Sequence, residues 1–261
     1  MSTKVIAVAN QKGGVGKTTT SVNVSACLAS VGKRVLMVDL DPQANATSGL
    51  GLEKREGFSA YKALMGESPL VDQIQRTAWE NLDIIPSEVD MCGAEIDLSR
   101  LADYLQRLSL ALEPIKAAET YELIVVDCPP ALGILTLNVF AASDWLLVPL
   151  QCEYYALEGI SMINKVLAQI RESVNPNLSL LGVVMTMFDG RTRLAAQVVT
   201  EVRQHFGDLV FDTVIPRTTR LAEAPSFGQP IIYYDKYSVG ASAYEVLTQE
   251  LLKRITGLNR K

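Results

Sequence analysis

A cluster of glycine, lysine and threonine residues between positions 10 and 19 has the composition of a phosphate-binding loop. Glycines let backbone N–H groups turn towards an anion, and the N-terminus of a following helix adds the positive end of its dipole. Lys17 is placed to contact the β- and γ-phosphates of a nucleotide, and the hydroxyl of Thr18 is placed to hold Mg²⁺. The residues predicted to bind ATP in this loop are Lys12, Gly13, Gly14, Val15, Gly16, Lys17, Thr18 and Thr19.

The loop departs from the common phosphate-binding pattern at its first position. That pattern, G-x-x-x-x-G-K-[ST], requires glycine at position 11, where this chain has Gln11. A second lysine, Lys12, stands at the mouth of the loop instead. Most lysines are simply solvated, but a lysine beside two glycines and a phosphate loop is better interpreted as a contact to nucleotide.

Two aspartates follow apolar runs that read as buried strands. Asp41 lies just after the run 34–39, and Asp127 ends the run 121–127. Because ligands of open α/β sheets bind at the carboxyl ends of the strands, we expect Asp41 and Asp127 to join Thr18 in a Mg²⁺ site. Asp41 is also the expected water-orienting carboxylate, with Lys12 and Lys17 as the other catalytic residues. A turn or helix cap before Pro42 is the alternative role for Asp41.

The apolar runs also predict the elements that position these residues. Their continuous rather than alternating hydrophobicity indicates strands covered on both faces, as in a parallel sheet. The predicted strands are 5–9, 34–39, 82–86, 121–127, 144–150 and 178–187. The predicted helical segments are 20–31, 58–65, 70–76, 94–118, 134–142, 194–206 and 243–255. This pattern predicts an α/β P-loop NTPase fold, with a mostly parallel sheet and helices on both faces.

Composition limits the possible classes of protein. The 261 residues contain no linker or repeat, which favours one domain over residues 1–261. The formal net charge of −5 argues against a chain that coats nucleic acid with its whole surface. The four cysteines lack CxxC spacing. The chain has one histidine, and with no second histidine a Ser/His or Cys/His triad is excluded. With no signal peptide and no apolar run long enough to cross a bilayer, we expect a cytoplasmic protein.

Several segments resemble one family. The form Lys-Gly-Gly-x-Gly-Lys-Thr-Thr at 12–19 resembles the deviant P-loop of the MinD/ParA ATPases. The segments 41–51, 151–159 and 213–217 resemble the chromosomal ParA/Soj partition ATPases, and the likeness runs from about residue 4 to about residue 250. Ala44 stands where that family commonly has glycine, and Thr218 where it frequently has asparagine.

The resemblance implies a mechanism based on ATP and Mg²⁺. It implies a homodimer that forms with ATP, in which Lys12 crosses the interface to touch the partner's nucleotide. It also implies that the ATP dimer binds DNA without reading sequence, that hydrolysis is triggered by a ParB-type centromere-binding protein, and that the protein is associated with the nucleoid. The loop implied to contact adenine consists of Pro216, Arg217 and Thr218.

The same resemblance implies DNA-binding residues. Arg191 and Arg220 match the arginines with which the family holds DNA, and Lys236 is a further candidate. Phosphate contacts by such residues supply affinity that falls with salt and carries no sequence information. The alternative is that these are ordinary solvated charges, since the chain is acidic overall and no aromatic interleaving is visible in the sequence.

Three other classes of protein remain open at this stage. A MinD-like membrane ATPase would use an amphipathic C-terminal helix, but the short apolar side of 243–255 favours core packing, and no stable membrane association is expected. An iron protein would need Cys92 and Cys128 to hold a cluster between subunits. A scaffold with a silent nucleotide site would bind ATP without turnover.

Overall fold

The structure is a computed structural model that describes residues 2–154 and 156–258, with the side chains of residues 156–164 excluded. Tyr155, within the family-like segment 151–159, lies outside the described residues. The strands are β1 (Lys4–Val8), β2 (Val35–Asp39), β3 (Gln75–Arg76), β4 (Leu82–Ile85), β5 (Leu123–Asp127), β6 (Trp145–Gln151), β7 (Ser179–Phe188) and β8 (Val210–Pro216). The α-helices are α1 (Lys17–Ser30), α2 (Asn45–Gly49), α3 (Tyr61–Met65), α4 (Met91–Leu98), α5 (Arg107–Ala117), α6 (Ile134–Ala142), α7 (Ala156–Ser173), α8 (Arg193–Phe206), α9 (Thr219–Glu223), α10 (Ile231–Tyr234) and α11 (Val239–Leu258).

The strands form one sheet in the order β3-β4-β2-β5-β1-β6-β7-β8. Among the strand pairings of the described residues, β3–β4 alone is antiparallel, and the others are parallel. The phosphate loop follows β1, and both neighbours of β5 in the sheet, β2 and β1, end beside Asp127. The carboxyl ends of the central strands therefore meet at one edge, as expected for a ligand site in a parallel sheet.

Alternate residues of the central strands feed two hydrophobic cores, one on each face of the sheet. Val5 and Ala7 of β1 pack with helices α3 to α8, whereas Ile6 and Val8 pack with α1, α10 and α11. Strands covered on both faces need apolar side chains at every position, which is why these runs show no alternation. The predicted fold class, a mostly parallel sheet with helices on both faces, is confirmed.

The prediction of one helical region over 94–118 was wrong. The chain forms α4, leaves the helix after Leu98 and begins α5 at Arg107, whose side chain donates to the Leu64 carbonyl and pairs with Asp103. Three leucines of this region, Leu98, Leu108 and Leu112, are nevertheless fully buried core residues.

Two edge strands were also not predicted from the sequence pattern. Helix was predicted for 70–76, but a 3₁₀ turn at Leu70–Gln73 leads into the two-residue strand β3. Strand β8 was not predicted because its buried and exposed positions do not alternate regularly and it lies at the edge of the sheet. None of the helices that the structure describes is long and apolar enough to span a bilayer.

Candidate nucleotide-binding site

The loop between β1 and α1 has the backbone of a phosphate cradle. Gly14 and Gly16 have φ values of 73° and 85°, a left-handed region in which a side chain would be strained. The loop is fixed at its base by two hydrogen bonds, because Thr186 Oγ1 donates to the Val15 carbonyl at 2.8 Å and Asn10 Nδ2 donates to the Pro149 carbonyl at 2.7 Å. The N–H groups at the start of α1 therefore face a preformed anion site.

Lys17, the first residue of α1, lies inside this cradle. Only 7% of the residue is exposed, and its Nζ donates to the Lys12 carbonyl at 3.4 Å. Burial lowers the pKa of the Lys17 ammonium, an effect opposed by the nearby carboxylates of Asp127 and Asp41. A bound polyphosphate would supply the negative charge that a desolvated ammonium lacks. The predicted nucleotide lysine is therefore placed for that role.

Asp127 lies at the end of β5, directly opposite Asp39 at the end of β2, and both are fully buried. Its Oδ1 accepts a 2.7 Å hydrogen bond from Ser21 of α1, whereas no described residue donates a hydrogen bond to its buried Oδ2. Burial, then the nearby Asp39 charge, raises the pKa of Asp127 to about 7, and the hydrogen bond from Ser21 opposes this rise. A carboxylate held in this way needs a positive partner.

The residues present fit a magnesium ion. Mg²⁺ in proteins is usually bound through one or two carboxylates, water and the phosphate oxygens of a substrate. The unpartnered Asp127 oxygen, the Thr18 hydroxyl and the carboxylate of Asp41 supply donors of that kind beside the cradle. In the part of the chain that the structure describes, no group of three or more His, Cys, Asp or Glu residues could hold a metal. An ion here would therefore depend on nucleotide and water for most of its ligands.

Asp41 occupies a loop that its neighbour Asp39 organises. Asp39 accepts from the Asp41 N–H at 3.2 Å and from both the N–H and the hydroxyl of Thr47 at 2.8 Å. Asp41 Oδ1 in turn accepts from the Gln43 N–H at 2.9 Å, so the turn role foreseen as an alternative is real. That bond uses one carboxylate oxygen and leaves the other for water or metal.

The loop ends at Ala44, which has a left-handed backbone with φ 50°. This conformation is unfavourable for residues with a Cβ, and it explains why glycine suits this position in similar chains. The Asp39 carboxylate that fixes the loop is buried. Burial disfavours its charged form and raises its pKa to about 6.

Lys12 lies outside the cradle that encloses Lys17. Its side chain is 43% exposed, and its Nζ forms an ion pair with Glu153 Oε2 at 2.8 Å. Glu153 also accepts a hydrogen bond from Gln151. The two lysines of the motif therefore lie at different depths, and only the inner one faces the phosphate position of its own loop.

A cavity of about 310 Å³ adjoins the cradle on the side of β8. Its lining includes the predicted adenine-contacting residues Pro216, Arg217 and Thr218. The other side of the cavity is formed by Thr186 and Met187 of β7 and Tyr244 of α11. The Thr218 hydroxyl accepts from the Leu221 N–H at 3.2 Å and so caps α9. A base in this cavity would meet mainly apolar surface and backbone groups.

The predicted DNA-binding residues are placed less simply. Arg191 is 88% exposed but is held in a two-point ion pair by Asp189, at 2.9 and 2.7 Å. Hydrogen bonds from Arg191 lower the pKa of Asp189 to about 2. Arg220 pairs with Glu223 at 3.2 Å and with Asp235 at 3.3 Å, next to Lys236 in the chain. Arg220 and Lys236 thus share one surface, whereas Arg191 belongs to the loop after β7.

Sequence reasoning missed three residues of this site. Glu153 pairs with Lys12 from 141 positions away, which no local pattern reveals. Ser21 could have been found, because it follows Lys17 by one helical turn and so lies on the same face of α1. Asp39 was treated as the end of a strand, although an acid at that position borders the carboxyl edge of the sheet.

Cys128, which an iron protein would need at a subunit surface, is fully buried. Burial, then the Asp127 charge, raises its thiol pKa well above the ordinary value, which disfavours the thiolate that iron would bind. Cys92 is exposed and belongs to α4, the helix that follows β4 in the chain. The arrangement does not favour a cluster between subunits.

Fold and site together define a P-loop nucleotide-binding protein, and comparison with known proteins gives the family. Residues 3–180 match a family described as an AAA domain. The chain is 51% identical over 249 residues to the sporulation initiation inhibitor protein Soj of Bacillus subtilis, covering 95% of this chain and 98% of that protein. It is 47% identical over 252 residues to the chromosome partitioning protein ParA of Caulobacter vibrioides, covering 96% and 94%. The chain belongs to the ParA/Soj family of chromosome-partitioning proteins.

A solved structure extends the comparison to ligands. Cobyrinic acid a,c-diamide synthase from Mycobacterium smegmatis, with bound ATP analogue and magnesium, superimposes with a TM-score of 0.83 at 36% identity. The match covers 97% of this chain and 96% of that one. A chain of this fold therefore holds an ATP analogue with magnesium, the pair of ligands that the cradle and the Asp127 oxygen would accommodate here.

Proposed function

We propose that this protein is a Mg²⁺-dependent ATPase of chromosome or plasmid partitioning that uses ATP as a dimerisation switch. The observation that carries the proposal is the different depth of the two lysines of the loop. Lys17 is buried in its own cradle, whereas Lys12 is half-exposed at the mouth and, among the described residues, forms an ion pair with Glu153 alone. A lysine in that position can reach the nucleotide of a second copy of the chain.

The charge of Lys12 is large enough to make such a contact matter. Two unit charges about 4 Å apart at an effective dielectric of about 20 interact by roughly 4 kcal/mol. If that attraction developed fully in the transition state, it would correspond to about 10³-fold in rate. Hydrolysis would then require the dimer, and loss of the terminal phosphate would remove the charge that joins the subunits.

Within one subunit, the described residues divide the remaining tasks. Lys17 and the N–H groups of the cradle hold the phosphates, and Asp41 orients the attacking water. Asp127 and Thr18 would hold magnesium and its bound water, the ion supplying charge stabilisation at the phosphates. Pro216, Arg217 and Thr218 would hold the adenine in the adjoining cavity.

We extend the proposal to DNA and a partner protein. The ATP dimer would unite two copies of Arg191, Arg220 and Lys236 into one surface for nonspecific DNA, and a ParB-type protein would stimulate hydrolysis. The relative from Caulobacter vibrioides that is named for chromosome partitioning supports this assignment. The protein would accordingly act in the cytoplasm on the nucleoid, as a single ATPase domain.

The MinD-like alternative requires an apolar helix face that is free to enter a membrane. In α11 the apolar side is largely occupied, since Leu247, Leu251 and Ile255 are buried in the core beside α1. The exposed large apolar residues of that helix are Val239, near its start, Val246, and Leu258, at its end. This packing favours DNA over a membrane as the surface to which the dimer binds.

Co-sedimentation tests the proposal. The full chain is mixed with nonspecific duplex DNA, or with liposomes, in ATP, ADP or no nucleotide over a range of salt. We expect DNA binding with ATP alone, weakening with salt, and no pelleting with liposomes. Arg220→Glu should weaken DNA binding without affecting ATP-dependent dimerisation, whereas Arg100→Glu, which alters another ion-paired surface arginine, should change neither. Binding that ignores nucleotide, or that favours liposomes, would contradict the proposal.

A further inference from the structure

One surface of the molecule alternates aromatic rings with cations. Phe227 stacks on Tyr234 with ring centroids 5.0 Å apart, and the Arg220 guanidinium lies 6.0 Å from the Tyr234 ring. Lys236 Nζ lies 4.8 Å from the Tyr237 ring. The Arg220–Asp235 ion pair connects the two groups, because Asp235 immediately precedes Lys236. We refer to Arg220, Phe227, Tyr234, Lys236 and Tyr237 as the aromatic–cation surface.

The charges of this surface cancel locally. Its two cations, Arg220 and Lys236, stand beside two carboxylates, Glu223 and Asp235, both within 3.3 Å of Arg220. Tyr234 also donates its hydroxyl to Glu223 at 3.2 Å. Attraction to phosphate is weaker where acids stand beside the cations, as Glu223 and Asp235 stand beside Arg220. Phosphate contacts therefore account for only part of the DNA binding proposed for this surface.

The rings, in contrast, are exposed to an unusual degree. Phe227 is 62% exposed and Tyr237 is 86% exposed, although each ring already contacts a neighbour. Large aromatic side chains normally bury most of their area. No aromatic interleaving is visible in the sequence around Arg220, because Tyr234 reaches it from 14 positions away. The fold brings Tyr234 to Arg220, whereas Lys236 and Tyr237 are neighbours in the chain.

We propose that the aromatic–cation surface binds the unpaired bases of single-stranded DNA by stacking. The inference rests on the proposed DNA-binding function and adds the chemistry of the ligand. Surfaces that hold single strands combine cations along the backbone with aromatic rings on which bases stack, and stacking tolerates any base sequence. Because stacking releases no counterions, this part of the binding is less sensitive to salt than contacts with duplex phosphates.

The experiment measures binding of the full chain, with Mg²⁺ and a non-hydrolysable ATP analogue, to three probes of equal length. The probes are an oligo(dT), the same backbone without bases, and a duplex. The test variant is the double substitution Phe227→Ser and Tyr237→Ser. The control is Tyr104→Ser, which removes another exposed ring, in the loop between α4 and α5. Thermal melting establishes that each variant is folded.

We expect the parent to bind oligo(dT) at least tenfold more tightly than the abasic strand, and to retain it at salt that releases duplex. The double variant should lose about tenfold or more in affinity for oligo(dT) and less than threefold for duplex, and the control should match the parent. Equal binding of oligo(dT) and the abasic strand, or unchanged binding by the double variant, would overturn the inference. Duplex binding without oligo(dT) binding overturns this inference alone, whereas binding to no probe overturns the proposed function as well.

Discussion

Lys12 and Glu153, 141 residues apart in the chain, form a 2.8 Å ion pair at the mouth of the phosphate loop. The pair holds Lys12 against its own subunit, although Lys12 is proposed to contact the nucleotide of a second subunit. Both side chains are nearly half exposed, so the pair contributes only about 0 to 1 kcal/mol. If the proposed dimer forms through Lys12, it must first break this weak ion pair.

Glu153→Gln should make dimerisation easier. Removing the carboxylate charge frees Lys12, and an ion pair worth up to about 1 kcal/mol corresponds to as much as about a fivefold lower concentration for half-dimerisation with ATP analogue. Analytical ultracentrifugation measures that midpoint. The matched control is Glu53→Gln, which neutralises an acid in another exposed ion pair and should leave the midpoint unchanged. Weaker dimerisation of Glu153→Gln would show that the acid serves the dimer rather than restraining the monomer.

Lys17→Ala should lose nucleotide. Its ammonium is the buried positive charge of the cradle, and its removal leaves the phosphates without their closest counter-charge. We expect ATP affinity to fall by about 100-fold or more, measured by titration calorimetry. Retained affinity would mean that the phosphates bind elsewhere.

Asp41→Ala should stop turnover while leaving ATP bound. The substitution removes the carboxylate proposed to orient water, but the cradle and Lys17 remain, so the ATP dimer should persist. We expect hydrolysis to fall by about 10²-fold or more, and ATP-dependent DNA retention to last longer. Phosphate release and DNA co-sedimentation report the two effects. Normal turnover by this variant would remove Asp41 from the catalytic role.

Asp127→Asn should separate stability from function. A carboxyl group whose pKa is raised in the folded state lowers the free energy of unfolding once the pH exceeds its pKa in the unfolded chain. The loss grows until the pH reaches the pKa in the folded chain, here about 7. Without nucleotide, the variant should melt a few degrees above the parent at pH 8, and the gain should disappear near pH 4. Turnover should require much more Mg²⁺ or be lost. A lower Tm at pH 8 would contradict the assignment of Asp127 as an electrostatically strained acid.

Much of this molecule could be predicted from local pattern. The phosphate loop was found because glycine, lysine and threonine fall at fixed offsets between a strand and a helix, and the strands leading to Asp41 and Asp127 were found because they are continuously apolar. These features depend on neighbours in the chain, which sequence reasoning can read.

What could not be predicted depends on distant parts of the chain. Glu153 meets Lys12, and Asp235 and Tyr234 reach Arg220, only because the sheet and its helices bring these segments together. Edge strand β8 was not predicted for a similar reason, since its pairing with β7, and not its own sequence pattern, makes it a strand. The residues that determine the roles of the two lysines and the arginines could therefore be identified only from the structure.

ATP-dependent association of Lys12→Gln is the decisive measurement. Lys62→Gln, which neutralises an exposed lysine on α3, is its control. With saturating ATP, the control should dimerise, hydrolyse ATP and hold DNA as the parent does. Lys12→Gln should still bind ATP as a monomer through Lys17, but it should fail to dimerise, lose hydrolysis by up to about 10³-fold, and release DNA. If Lys12→Gln instead dimerises, hydrolyses ATP and holds DNA like the parent, Lys12 does not join two subunits through their nucleotides.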